Sequence, residues 1–331
     1  IHGIKTTLKG CKVWAWVLIA GLVVSQWISL SSILNIVSNA VAEVMMLCIP
    51  SIPKSATYWI VIATAVLIAL TIWILLNKGN YSTFEKILSF LVTMMGFAFI
   101  LSMFIELPDP EAFRKGFEAL ALNSSDAGLF VAAFVGTTMS SPTFVIRPLI
   151  LKSKGWGAAD QKVQKRDAIV SASLTFLISS SIMIAAAGTL FANGIRIDRV
   201  LDMIYVLQPI AGRFAVALFV VGLLGAGLSS IFPIMMLAAT LHSDYNHGEL
   251  RTRTKPFMIL TGISALIGLT IPILGYNPVI TQIASQVTLV FVLPLVIGLM
   301  IVLLNKKGVM GAAKPGVVFN ILMVLALIFA C

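Results

Sequence analysis

The sequence predicts an all-α, polytopic helical membrane protein of about nine spanning helices, forming a single transmembrane domain over residues 1–331. Three observations predict it. Apolar residues make up 59% of the chain and charged residues 11%, with a mean hydropathy of +1.02. Soluble domains carry about 25% charge, and a soluble core of this size cannot hide so much apolar side chain. Apolar runs recur at about the 20 residues needed to cross a bilayer. The Lys and Arg residues gather in short loops between those runs, as membrane topology predicts. That placement, not nucleic-acid binding, accounts for the net charge of +10.

The runs follow in order. Lys5, Lys9 and Lys12 precede the first, 13–47, which is long and has polar interruptions. Lys54 separates it from 57–77, and Lys78 and Lys86 mark the passage to 84–106. The segment 106–128 is acidic and partly amphipathic, and is expected to be an outside loop with a surface helix. The run 127–151 leads into a basic cytoplasmic loop, 152–167, with Lys152, Lys154, Lys162, Lys165 and Arg166. After 168–192, the stretch 193–212 is expected as an outside interfacial helix. The run 212–241 is followed by Arg251, Arg253 and Lys255, then by 256–275 and 280–304. Lys306, Lys307 and Lys314 precede the last run, 315–331. Helices are expected throughout, because a helix satisfies its own backbone in lipid. The runs are too continuous for barrel strands, which alternate over about 10 residues.

Sixteen basic residues fall on one set of loops and six on the other. This puts the N-terminus in the cytoplasm, the C-terminus outside, and the protein in a bacterial plasma membrane. The three cysteines, Cys11, Cys48 and Cys331, lack metal or redox spacing. No cleavable signal is visible. The chain begins at Ile1 without methionine and stops directly after an apolar run, which predicts a piece of a longer protein.

One stretch is out of place in a spanning helix. Residues 136–149 read GTTMSSPTFVIRPL. Ser140, Ser141 and Thr143 bring hydroxyls, Pro142 removes a backbone donor, and Gly136 relaxes the chain before it. A helix broken at mid-depth exposes free carbonyls and amides, which lipid tolerates only where they line a cavity. Secondary transporters bind ions and substrates at such breaks. A Pro-kinked structural helix, with Ser and Thr bonded back to i−4 carbonyls, explains the composition equally well.

Other candidates are weaker. Gln286 and Gln26 are lone amides in apolar helices, suited to a substrate or simply to a neighbouring helix. The small residues of 222–230 suit close helix packing. His242 and His247 stand five apart on an expected polar loop, a poor metal site. Arg147 is the one charge plainly inside a run. It suits pairing with Asp167, snorkelling to lipid phosphate, or a place in a permeation path. There is no Walker loop, nucleophile elbow or zinc-protease motif, so no enzyme is expected.

The order of these stretches resembles the Nramp family of divalent-metal transporters, from that family's third helix to its eleventh. Residues 81–117 are similar to its fifth helix and following loop, 214–230 to its eighth helix, and 285–294 to its tenth. Residues 136–154 align without gaps to its sixth. The resemblance implies a LeuT-type fold of inverted five-helix repeats, with ion ligands from broken first and sixth helices. It implies metal ligation at Thr137, Ser140, Thr143 and Gln286. The family's metal-binding Met falls on Ser140 and its Asn on Thr143. Its third-helix acids fall on Gln26 and Ser29, its sixth-helix His on Arg147, and its eighth-helix Gln on Leu228. The first two helices, with the central carboxylate, have no counterpart here.

A hydroxyl and carbonyls in place of a thioether favour hard cations such as Mg²⁺ or Mn²⁺. Mg²⁺ keeps several waters and needs the room that Ser140 leaves. The resemblance thus implies a magnesium-transporter-like branch working by alternating access, weakly or not coupled to protons. The expected partners are the divalent cation as substrate and the lipid bilayer, with no cofactor, no nucleic acid and no obligatory protein partner. A same-fold carrier of an organic solute such as an amino acid, a degenerate non-transporting relative, and an unrelated helical bundle are the alternatives.

Overall fold

The computed structural model describes residues 12–78, 82–107, 111, 114, 127–191, 193–195, 197, 199–311 and 314–330. Among these there are helices and no strands. The long helices are α1 (Lys12–Cys48), α2 (Thr57–Lys78), α3 (Ser82–Ile105), α4 (Ala127–Thr138), α5 (Ser141–Ser153) and α6 (Gln161–Ala186). They continue with α7 (Ala215–His247), α8 (Lys255–Gly268), α9 (Pro278–Asn305) and α10 (Val317–Ala330). Among the described residues, eight stretches are long and apolar enough to cross a membrane, counting α4 and α5 together as one. The ninth expected span is α10, a shorter apolar helix of 14 residues.

Helix ends depart from the apolar runs in a consistent way. α6 starts at Gln161, so Lys162, Lys165, Arg166 and Asp167 stand on its first turns, and only 154–160 separates it from α5. The basic loop expected over 152–167 is shorter for that reason. α7 likewise continues to His247, where Gly248 at φ 67° ends it. Hydropathy marks where lipid stops, but a helix can run on into water with polar side chains. The expected interfacial helix at 193–212 is instead a 3₁₀ helix over Val200–Val206 and one α turn over Gln208–Ala211. Most of 106–128, with its expected surface helix, lies outside the described residues, as do Cys11 and Cys331.

α1 is the hub, packing along α7 and α9 and touching α2 and α8. Its polar interruptions face inward: Ser25, Gln26, Ser29, Ser31, Ser32, Asn35 and Ser38 are all buried. Several clamp the chain around the turn between α8 and α9. The Ser31 hydroxyl accepts the Ile271 N–H at 2.8 Å, and the Ser32 hydroxyl donates to the Thr281 carbonyl at 3.1 Å. The Asn35 amide donates to the Tyr276 carbonyl at 3.0 Å, and the Trp27 indole to Ser264 at 2.9 Å. Such interhelical bonds are worth about 0.6–2 kcal/mol each in a bilayer. Leu67, Phe90, Phe176, Phe291 and Leu322 lie on the outer surface, more than half exposed. Water would penalise such an apolar exterior, and lipid accommodates it.

Candidate functional site

The odd stretch at 136–149 is a true interruption. α4 ends at Thr138, where the Met139 N–H closes its last turn on the Val135 carbonyl at 2.8 Å. Ser140 is extended in ψ (φ −52°, ψ 109°), and the Thr143 N–H bonds back to its carbonyl at 3.0 Å to open α5. Pro142 is the local cause. It has no N–H to offer the Thr138 carbonyl four residues back, yet it is tolerated at the start of the next helix, where that donor is not needed.

Gly136 sets the distance to the neighbouring helix. A Cβ there would lie 2.1 Å from the Gln286 carbonyl oxygen, so only glycine lets α4 approach α9 this closely. The approach brings the Thr137 hydroxyl within 3.1 Å of Gln286 Oε1. The same amide donates to Ser29 at 3.4 Å and to Ser285 at 3.1 Å. A polar chain therefore runs from α4 through α9 to α1.

The break opens onto a cavity of about 560 Å³. Thr137, Ser140, Thr143 and Gln286 all line it, together with Gln26 and Ser29. The hydroxyls at the break do not all serve it. Thr138 bonds back to the Phe134 carbonyl at 2.8 Å, as a plain helical threonine does. Ser141 is fully buried and turns to the Leu289 carbonyl at 3.4 Å. Met139, the sulfur at the break, packs with Val135, Leu293 and Ile297 instead of lining the cavity.

Beyond the break the lining becomes charged. Ser140, Thr143, Arg147, Ile150 and Lys154 follow one another at three- and four-residue spacing, so one face of α5 and the turn after it runs from the break to the cavity mouth. Arg147 Nη2 lies 2.7 Å from Asp167 Oδ2 on α6, so the arginine is paired while it lines the cavity. Among the lining residues Asp167 is the only carboxylate, and there is no histidine, methionine or cysteine.

A family model described as natural resistance-associated macrophage protein-like (Nramp) matches residues 9–331. The chain belongs to the Nramp family. Its fold class is accordingly the LeuT-type helical fold of that family. Among similar proteins, the divalent metal cation transporter MntH of Clostridium acetobutylicum is 25% identical over 58% of this chain and 44% of its own length. The protein of that name from Caldanaerobacter subterraneus subsp. tengcongensis is 25% identical over 70% of this chain and 56% of its own. That of Deinococcus radiodurans is 27% identical over 77% and 58%. The chain spans about half the length of these relatives.

Within the Nramp frame, two polar lining residues escaped the sequence reading. Gln282 stands one turn before Gln286 on α9, and its Oε1 is buried with no donor. Ser230 lines the cavity from α7, near the Pro233 inside that helix. The i, i+4 spacing of the two glutamines was a visible signal, since it puts both amides on one helix face. Ser230 carried none, because packing serines look alike in sequence. Leu228 sits in an apolar cluster with Leu34, Ile231 and Phe232, away from the cavity lining. The two histidines are on α7, not on a polar loop. At five-residue spacing they diverge by about 140° around the helix, and His242 meets Asn246 at 3.1 Å. No cluster of three or more potential metal-binding His, Cys, Asp or Glu occurs among the described residues.

Proposed function

We propose that this chain forms the cation-handling core of a secondary transporter for hard divalent cations, Mg²⁺ or Mn²⁺, working by alternating access with weak or no proton coupling. The observation that carries the reading is the broken helix α4–α5, whose Thr137, Ser140 and Thr143 face one cavity with Gln286. These groups present neutral oxygens and no sulfur, a donor set that suits hard cations. Mg²⁺ sheds water reluctantly, and about 560 Å³ leaves room for a cation with several waters. The carbonyl end of α4 is the favourable end for a cation, and the amide end of α5 the unfavourable one. The ion therefore sits on the Thr137 and Gln286 side of the break.

With Asp167 the only lining carboxylate and Gln26 and Ser29 on α1, this wall offers little to carry protons. The basic face is cytoplasmic on the charge rule, so the cavity opens inward in a plasma membrane. The relatives named above are divalent metal cation transporters, which agrees with the substrate class.

The test is uptake of Mg²⁺ and Mn²⁺ into vesicles holding the full-length protein. The expected result is saturable flux, abolished by Ser140→Trp and by Gln286→Leu, unchanged by added amino acids, and without acidification of the lumen. Flux that survives both substitutions sinks the site, and acidification in step with metal entry sinks the uncoupled mechanism.

A further inference from the structure

The mouth of the cavity has a charge arrangement that the transport reading does not need. Asp167 is the sole carboxylate on the lining, and Arg147 holds it at 2.7 Å. Neither is sealed away: their side chains are 37% and 41% exposed. Lys154 lines the same mouth, its ammonium 5.1 Å from the centre of the Trp156 ring. With the pair made, the mouth carries one net positive charge. A cation leaving the neutral oxygens at the break meets Arg147 one turn past Thr143, about 6 Å further along α5.

We infer that Arg147 and Asp167 form a partner-exchange gate for the departing metal ion. Asp167 is the ligand a divalent cation takes on its way between the break and the basic face. Arg147 is a tethered counter-cation that occupies this carboxylate whenever no metal is there. A metal ion reaching Asp167 from either side must displace the guanidinium, and the guanidinium in turn displaces the metal, so the pair weakens capture at the mouth and speeds release from it. The arrangement also keeps Asp167 paired in the empty state. The pair joins α5, the second half of the broken helix, to α6, so partner exchange also loosens the link between the two. This inference rests on the divalent-cation reading of the cavity.

The experiment compares wild type, Arg147→Gln, Asp167→Asn and the double variant, each full-length in vesicles. It reads Mn²⁺ KM from the basic face, maximal flux and melting temperature. Removing Arg147 frees Asp167, and KM from that face falls roughly tenfold while release slows. Removing Asp167 leaves Arg147 unpaired, and KM rises roughly tenfold. The double variant restores the net charge of the mouth and brings KM back to within about threefold of wild type, with maximal flux still reduced. Each shift shrinks in high salt. Arg147→Lys keeps the charge and holds KM near wild type, which guards against misfolding of the neutral variants.

A pair that merely staples α5 to α6 predicts lower melting temperatures with KM unmoved in the three neutral variants, and that result overturns the gate. A wild type that carries no divalent cation overturns the transport reading and the gate with it. A wild type that carries Mn²⁺ while the variants match it overturns the gate alone.

Discussion

Gly136→Ala is the most demanding prediction, because one methyl group meets backbone that cannot rotate away. Its Cβ would sit 2.1 Å from the Gln286 carbonyl oxygen, 3.0 Å from the carbonyl carbon and 3.2 Å from a Val290 methyl. Relief requires α4 and α9 to separate by roughly 1 Å. Alanine gains about 1 kcal/mol of helix propensity over glycine. Overpacking against a rigid partner costs about 1–3 kcal/mol, so the net effect is destabilisation by up to about 2 kcal/mol. The Thr137–Gln286 contact, 3.1 Å in the native protein, opens past hydrogen-bonding range, and cation affinity falls about tenfold. Gly298→Ala on α9 is the control, since nothing lies within 4 Å of the added methyl. The assay pairs thermal unfolding in detergent with Mg²⁺ flux in vesicles. If Gly136→Ala behaves like Gly298→Ala in both, the reasoning about the close approach is wrong.

Three further outcomes follow from the packing. Ser31→Ala removes the acceptor of the partly buried Ile271 N–H, lowering stability by about 1 kcal/mol; faster amide exchange at Ile271 is the check. Asn305 and Asn320 exchange amide bonds at 2.8 and 3.0 Å between α9 and α10. Asn320→Ala should cost about 0.6–2 kcal/mol and loosen α10, read as increased mobility of a spin label on that helix. Ser140→Met puts a thioether at the break and should shift selectivity from Mg²⁺ toward Cd²⁺ by roughly tenfold, read by competition in the flux assay.

The spanning helices were legible because hydropathy and span length are set by the same bilayer. Their ends were less so, as α6 and α7 show, because polar turns outside the lipid carry no apolar signal. The interruption at 139–140 was half legible. Pro142 and Gly136 announced a weak point, but a kink and a break share that composition. The difference lay in what surrounds it: a void on one side and the Gln286 backbone on the other. Hydroxyl identity misled in part, since Thr138 and Ser141 bond to backbone carbonyls while Thr137, Ser140 and Thr143 line the cavity. The role of Arg147 was open until its distance to Asp167 was known.

By itself the sequence determined that lipid is the solvent, that the chain crosses it as helices, and which short segment cannot continue as one. Those properties are local: they depend on transfer free energies and backbone donors that each residue brings with it. Only the tertiary structure decided that α1 buries its serines and amides at the centre, that Gln282 and Gln286 face the cavity, and that Arg147 is neutralised across two helices. Those properties depend on which helix faces face each other, and helices of similar apolar composition carry little information about their neighbours.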